Sequence, residues 1–187
     1  MYRLRSIFLW LRRCGYSRGF GVQSPSVYSF IRYVINEHYP YYAYDDLKAK
    51  FSQVDPLSRK LSELYFRVAN YSQAKTWLDF IGNEVYRSYI QCGCNHTDVS
   101  VCKIQITDFD VALIKLDELS IDTVNCLINN AASTSIILIE GIFDNSANKR
   151  MWLNLLENKK ISVSFDLYHV GILFFDDRFK HNYIVNF

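Results

Sequence analysis

Glycine and proline are scarce in this chain, with seven and three among 187 residues. So few glycines leave little for a glycine-rich phosphate loop, in which several residues without side chains let backbone N–H groups close on an anion. Neither sign of charge is in excess. Twenty-one basic residues against nineteen acidic ones give a formal charge of +2. That argues against a dedicated nucleic-acid binder, whose basic charge is high and gathered on one face. No apolar run reaches the about 20 residues of a membrane span, and no secretory leader with a small-residue cleavage site is read. The five cysteines are odd in number and without framework spacing, which suits a reducing cytosol, so the expected location is cytoplasmic. What the chain has in quantity is apolar surface. Half the residues are hydrophobic and 16% are aromatic, which excludes disorder and supports one main domain with an appended segment.

The pattern divides at residue 75. Residues 1–75 read as a helical segment packing on the core. Residues 2–13 place Leu4, Ile7, Phe8 and Leu11 on one face, flanked by Arg3, Arg5, Arg12 and Arg13. Ser24-Pro25 starts a helix whose buried side carries Val27, Phe30, Ile31, Val34 and Ile35. Asp55-Pro56 starts another, with Leu57, Leu61, Leu64, Tyr65 and Val68 inside. The tyrosine-rich run at 39, 41, 42 and 44 between them reads as a connection whose rings cover the sheet edge, or as an aromatic lid over a pocket.

From residue 76 the period switches to strands alternating with helices, forming a second unit over 76–187. Strands are expected over 76–81, 99–106, 110–116, 135–140, 161–168, 171–175 and 183–187, and helices over 84–91, 120–130 and 144–158. Near-continuous apolar strands separated by helices indicate a mostly parallel sheet covered on both faces. The last strands follow one another without a helix, so they are expected to pair antiparallel.

The run Gly19-Phe20-Gly21-Val22-Gln23-Ser24-Pro25-Ser26-Val27-Tyr28 resembles the GFGVHSPFVY-type entry segment of a bacterial class I S-adenosylmethionine-dependent methyltransferase family. Tyr41-Tyr42-Ala43-Tyr44, Leu78-Asp79-Phe80-Ile81-Gly82, the run from Phe165 to Phe175 and the closing Asn182-Tyr183-Ile184-Val185-Asn186-Phe187 are similar as well. The resemblance implies an α/β fold with a Rossmann-like methyltransferase sheet and S-adenosylmethionine as cofactor. It covers both ends of the chain well and the middle poorly.

On that resemblance, the cofactor contacts fall at Asp79 and Gly82 after the first strand, at Asp117 after the fourth strand of the family, and at Glu140 after the fifth. Each departs from the pattern. The glycine turn is reduced to Gly82. Residues 93–108 hold one strand where the family has two strands and two helices, so the sheet is expected to be truncated on the second-strand side and to lack the carboxylate that holds the ribose. Lys115 aligns with an aspartate of the family, and the acidic pair after the fifth strand becomes Glu140-Gly141, which weakens a divalent-metal site. A structural reading stands beside each: a buried carboxylate in an apolar strand needs partners, and loop carboxylates cap the next helix.

Other polar residues carry less. Cys92, Cys94 and His96 are too closely spaced for structural zinc and lack a clear fourth ligand. Cys126 reads as a thiol on a helix core face, and His169 and His181 have no nucleophile in pattern with them, so no catalytic residue is assigned. The expected function is a degenerate methyltransferase-like protein retained for binding or assembly, through a protein partner or as a homo-oligomer. The alternative is an active S-adenosylmethionine-dependent O-methyltransferase with an atypical pocket. The basic helix over 2–13 is expected to pack on the core or a second subunit in preference to a membrane surface.

Overall fold

The computed structural model of the protein describes residues 11, 13–16, 21–101 and 108–187. Pro25, fixed at a helical φ and needing no hydrogen-bond donor, opens α1 (Pro25–Phe30). The Ser24 hydroxyl lies 3.2 Å from that of Ser26 and caps no backbone amide. One wider turn, a π-helix over Ile31–Ile35, continues α1. The expected buried side, Val27, Phe30, Ile31, Val34 and Ile35, is buried. Asp55 caps α3 (Pro56–Ser72) as read from the sequence, its Oδ1 accepting from the N–H groups of Leu57 and Ser58 at 3.0 and 3.1 Å. Between the two lies α2 (Tyr42–Lys50), which the sequence does not announce because only Tyr44 and Leu47 along it are buried. Most of the basic stretch over 2–13 falls outside the described residues.

Seven strands form one sheet in the order β2-β1-β3-β4-β6-β5-β7. In chain order they are β1 (Thr76–Asp79), β2 (Asp98–Val101), β3 (Val111–Lys115), β4 (Ile136–Glu140), β5 (Val163–Asp166), β6 (Val170–Phe174) and β7 (His181–Ile184). Three helices connect them: α4 (Glu84–Gly93), α5 (Ile121–Asn130) and α6 (Ser146–Leu156). β1 pairs parallel with β2 and β3, and β3 with β4. The expected antiparallel end is carried by β6 alone, which runs against both β4 and β5. β7 instead adds parallel to β5, because the excursion through residues 175–180 returns the chain to the same end of the sheet. On the other side, among the described residues, one strand, β2, lies beyond β1.

The period-two alternation of the strands sorts the core into two layers. Trp77, Val111, Leu113, Ile136, Leu138, Phe165 and Ile172 face α1, α3 and α4. Leu78, Ala112, Ile114, Ile137, Ile139 and Leu173 face α5 and α6. Each buried Val, Leu, Ile or Phe side chain among these contributes ~1.5–3 kcal/mol, so the sheet interior outweighs any surface ion pair. Cys126 points outward from α5, correcting its expected core position. The buried face is Val124, Leu127 and Ile128, and Cys126 is exposed. Tyr41 and Tyr44 pack with Phe66 and Tyr89 on α3 and α4, away from the sheet edge, while Tyr42 is 92% exposed.

Two glycines mark the closest packing. A Cβ on Gly93 would stand 2.3 Å from the Phe66 carbonyl oxygen, so α4 lies against the backbone of α3 there. A Cβ on Gly171 would stand 2.4 to 3.0 Å from the ring of Trp152, which is buried and cannot swing aside. Gly171→Ala is therefore expected to cost about 1–3 kcal/mol through overpacking. Chemical denaturation checks it, and an unchanged midpoint would show that the Trp152 ring yields freely.

Candidate active site at the carboxyl edge of the sheet

Ligands of open α/β sheets bind where parallel strands end. In this chain β1, β3 and β4 end on Asp79, Lys115 and Glu140. Alternation puts all three on the face covered by α3 and α4, since they share it with Trp77, Leu113 and Leu138. Lys115 and Glu140 are paired across β3 and β4, and Asp79 is level with Leu113.

Asp79 is fully buried. Its Oδ1 accepts from the N–H groups of Ile81 and Gly82 at 2.9 and 3.0 Å, so the carboxylate ties down the turn that follows its own strand. Gly82 takes φ +70, a conformation side chains disfavour, with only Val101 Cγ1 at 3.9 Å from where a Cβ would stand. Asn83 then caps α4, its Oδ1 accepting from Val85 N and Tyr86 N. The amides of Ile81, Gly82, Val85 and Tyr86 are thus met by side chains of the turn itself. Among the described residues Asp79 Oδ2 is a buried side-chain atom without a partner, and it calls for a donor.

Glu140 is held from the helical layer. Tyr65, completely buried on α3, donates from its hydroxyl to Glu140 Oε1 at 2.6 Å. Tyr86 on α4 lies edge-on to Tyr65, ring centres 5.0 Å apart, and its hydroxyl adds to the pull on the same carboxylate. Burial pushes the Glu140 carboxyl above its ordinary range, although both phenols and Lys115 pull the other way. Burial also drives the Tyr65 phenol well up, with the Glu140 charge adding to it, so Tyr65 stays protonated and acts as a donor.

Gly141, next to Glu140, adopts φ +76 with Asp144 close by. The place of the expected second carboxylate is thus a turn that needs glycine. Lys115 reaches Asp144 at 3.8 Å, both half exposed, a contact worth ~0–1 kcal/mol. Asp117 lies apart from this cluster. Exposed beyond β3, it accepts from Leu119 N at 3.0 Å and Ser120 N at 2.7 Å and so fixes the turn into α5. The structure brings Asp79 and Glu140 to one face with Gly82 beside them, and leaves Asp117 as a helix-start residue.

Sequence reasoning missed three residues. Tyr65 was placed inside by its helical spacing, but its hydroxyl role was not read. A phenol on an apolar helix face needs a polar partner once buried, and that was the available signal. Buried Asn148 on α6 donates to the carbonyls of Leu116 and Gly141, both at 2.8 Å, and so joins the ends of β3 and β4. Buried Arg67 donates to the carbonyls of Val34 and Ile35 and to the Tyr44 hydroxyl, closing the end of the π-turn, where a cation is favoured.

The residues present do not fit S-adenosylmethionine well. The Ile81 and Gly82 amides are engaged by Asp79, and the Tyr65 hydroxyl donates to Glu140. Two grooves of about 510 Å³ lie elsewhere, one between α5 and α6 around Ile121 and Met151, the other beside β7 around Val22, Phe179 and His181. Among the described residues, no three His, Cys, Asp or Glu side chains are grouped to hold a metal ion. Cys94 is buried with its Sγ 3.3 Å from His96 Nε2, and Cys92 is exposed. No helix among the described residues is long and apolar enough to cross a membrane.

No protein-family model matches the chain, and no curated protein does. Among solved structures it is similar to the SAH-bound methyltransferase PaMTH1 of Podospora anserina, with a TM-score of 0.55 and 12% identity. The match covers 81% of this chain and 94% of the other. At that identity the likeness shows a methyltransferase-like fold.

Glu140 gives a pH test of the cluster. Its folded carboxyl is raised, so the stability it lends is greatest below the ordinary carboxylate range and is lost as pH rises through the folded value. Glu140→Gln keeps an acceptor for Tyr65 and cannot ionise. Its melting temperature should therefore gain on the wild type between about pH 4 and pH 8. A difference that does not change with pH would mean the Glu140 carboxyl titrates normally.

Proposed function

We infer that this chain is a methyltransferase-fold protein that no longer carries out methyl transfer and is retained for binding or assembly, with a protein partner or a second copy of itself. The observation that carries this reading is the closure of the carboxyl edge by the chain's own side chains. Asp79 holds the Ile81 and Gly82 amides, and Tyr65 donates to Glu140.

One observation favours a second reading, an active S-adenosylmethionine-dependent O-methyltransferase with an atypical pocket. Asp79 Oδ2 is buried and unpartnered, and a ligand donor would satisfy it. Cofactor binding separates the two without knowledge of any methyl acceptor. A ligand present at a hundred times its dissociation constant stabilises the native state by about 2.7 kcal/mol. S-adenosylmethionine and S-adenosylhomocysteine at millimolar concentration are expected to leave the melting temperature unchanged. A rise that disappears in Asp79→Ala or Gly82→Val would favour the active enzyme.

A further inference from the structure

One of the two grooves lies at the opposite end of the sheet from Asp79 and Glu140, where β5 and β7 begin. Its volume is about 510 Å³, and its walls include Val22, Val27, Val163, His181 and Tyr183. Val27 and Val163 are buried and form the floor. At its mouth stands Phe179, 98% exposed, on the connection between β6 and β7.

A lone exposed aromatic needs no explanation on a protein surface. Phe179 differs because the residues on both sides of it are fixed. Ser162 Oγ donates to Asp176 Oδ1 at 3.0 Å, and Asp176 Oδ1 also accepts from Arg178 N at 3.1 Å and Arg178 Nε at 2.8 Å. The Arg178 guanidinium lies over the Phe174 ring, 5.1 Å from its centre. After Phe179, Lys180 Nζ donates to the Asn158 carbonyl and His181 N to the Ser162 carbonyl, both at 2.8 Å. The ring is thus held out in solvent by a loop tied down before and after it. Little backbone freedom is left to lose when that ring is covered.

A twofold interface sets one patch against the same patch of a second copy, so the patch must be complementary to itself. This one carries both halves of a fit. A ring protrudes, and beside it lies a groove with an apolar floor, where about 150 Å³ is already enough to hold a benzene ring. It also carries both signs of charge. Arg178 is paired with Asp176, but Asp177 forms no ion pair among the described residues, and Lys180 meets only a carbonyl. Asp177 of each copy can therefore face Lys180 of the other, whereas a patch of one sign would repel its own copy.

We propose that this patch is a homodimer interface, in which Phe179 of each chain enters the groove of the other and Asp177 pairs with Lys180 across the twofold axis. The proposal rests on the reading of the chain as an assembly protein and names a second copy of itself as the partner. Each aromatic ring buries about 150–250 Å², well short of the ~1,600 Å² of a standard stable interface. The dimer is accordingly weak and concentration-dependent, with Phe179 as its anchor and the charges as its rim.

Sedimentation velocity on the full-length chain tests this from about 1 to 200 μM, with reductant present because Cys14, Cys92 and Cys126 are exposed. Wild type should pass from one chain to two over that range. Phe179→Ser should weaken association about tenfold or more and leave the melting temperature of the dilute chain unchanged, since the ring is uncovered there. Asp177→Lys and Lys180→Asp should each weaken self-association. Their equimolar mixture should dimerise at least as well as wild type, because one variant then presents two positive charges and the other two negative ones. A wild type that stays single at 200 μM overturns the proposal and leaves the groove to a different protein. So does association that Phe179→Ser does not weaken, or a mixture that associates no better than its parts. A cofactor-induced rise in melting temperature would instead overturn the non-catalytic reading and leave this interface standing.

Discussion

The hydrogen bond from Tyr65 to Glu140 joins the helical layer to the end of β4, and the organisation of the whole edge depends on it. A carboxylate at that depth is tolerated only if donors reach it, because an unpaired buried charge costs far more than a paired one. The donor has to come from α3, so α3 must lie across the ends of β1 and β4. Tyr86 is brought near the same carboxylate on α4, which runs close against α3, and that closeness needs the missing side chain of Gly93 beside the Phe66 carbonyl. Phenol, carboxylate, glycine and helix crossing form one chain of causes.

The same principle recurs along the edge. Asp79 accepts from its own turn, Asn83 caps its own helix, Asp117 fixes the turn into α5, and Asp166 receives Arg13. Polar groups that in an open α/β sheet would face a ligand face other parts of the same chain. The fold is that of a methyltransferase-like protein. We read its edge as turned over to internal contacts, apart from the single oxygen of Asp79.

Much of the fold was legible because it rests on local chemistry. Asp55-Pro56 started a helix, the apolar strands were placed to within a few residues, and the lone strand beyond β1 matched the shortened middle of the sequence. The direction of β7 was not legible, since periodicity reports which face a residue takes and not which way a strand runs. α2 was missed because Tyr44 and Leu47 alone make no apolar stripe. At the site, the spacing that located Asp79, Gly82 and Glu140 could not disclose Tyr65 as the donor to Glu140. Arg13 and Asp166 meet across 153 positions of sequence, which no local pattern reports.

Closure of the edge is most directly measured by hydrogen exchange of residues 79–86 with and without millimolar S-adenosylhomocysteine. These amides are the ones a cofactor would have to contact. If Asp79 and Asn83 already satisfy the amides of Ile81, Gly82, Val85 and Tyr86, exchange there should be the same in both conditions. Slowed exchange at Ile81, Gly82 or the first turn of α4 on adding the ligand would contradict the closed edge.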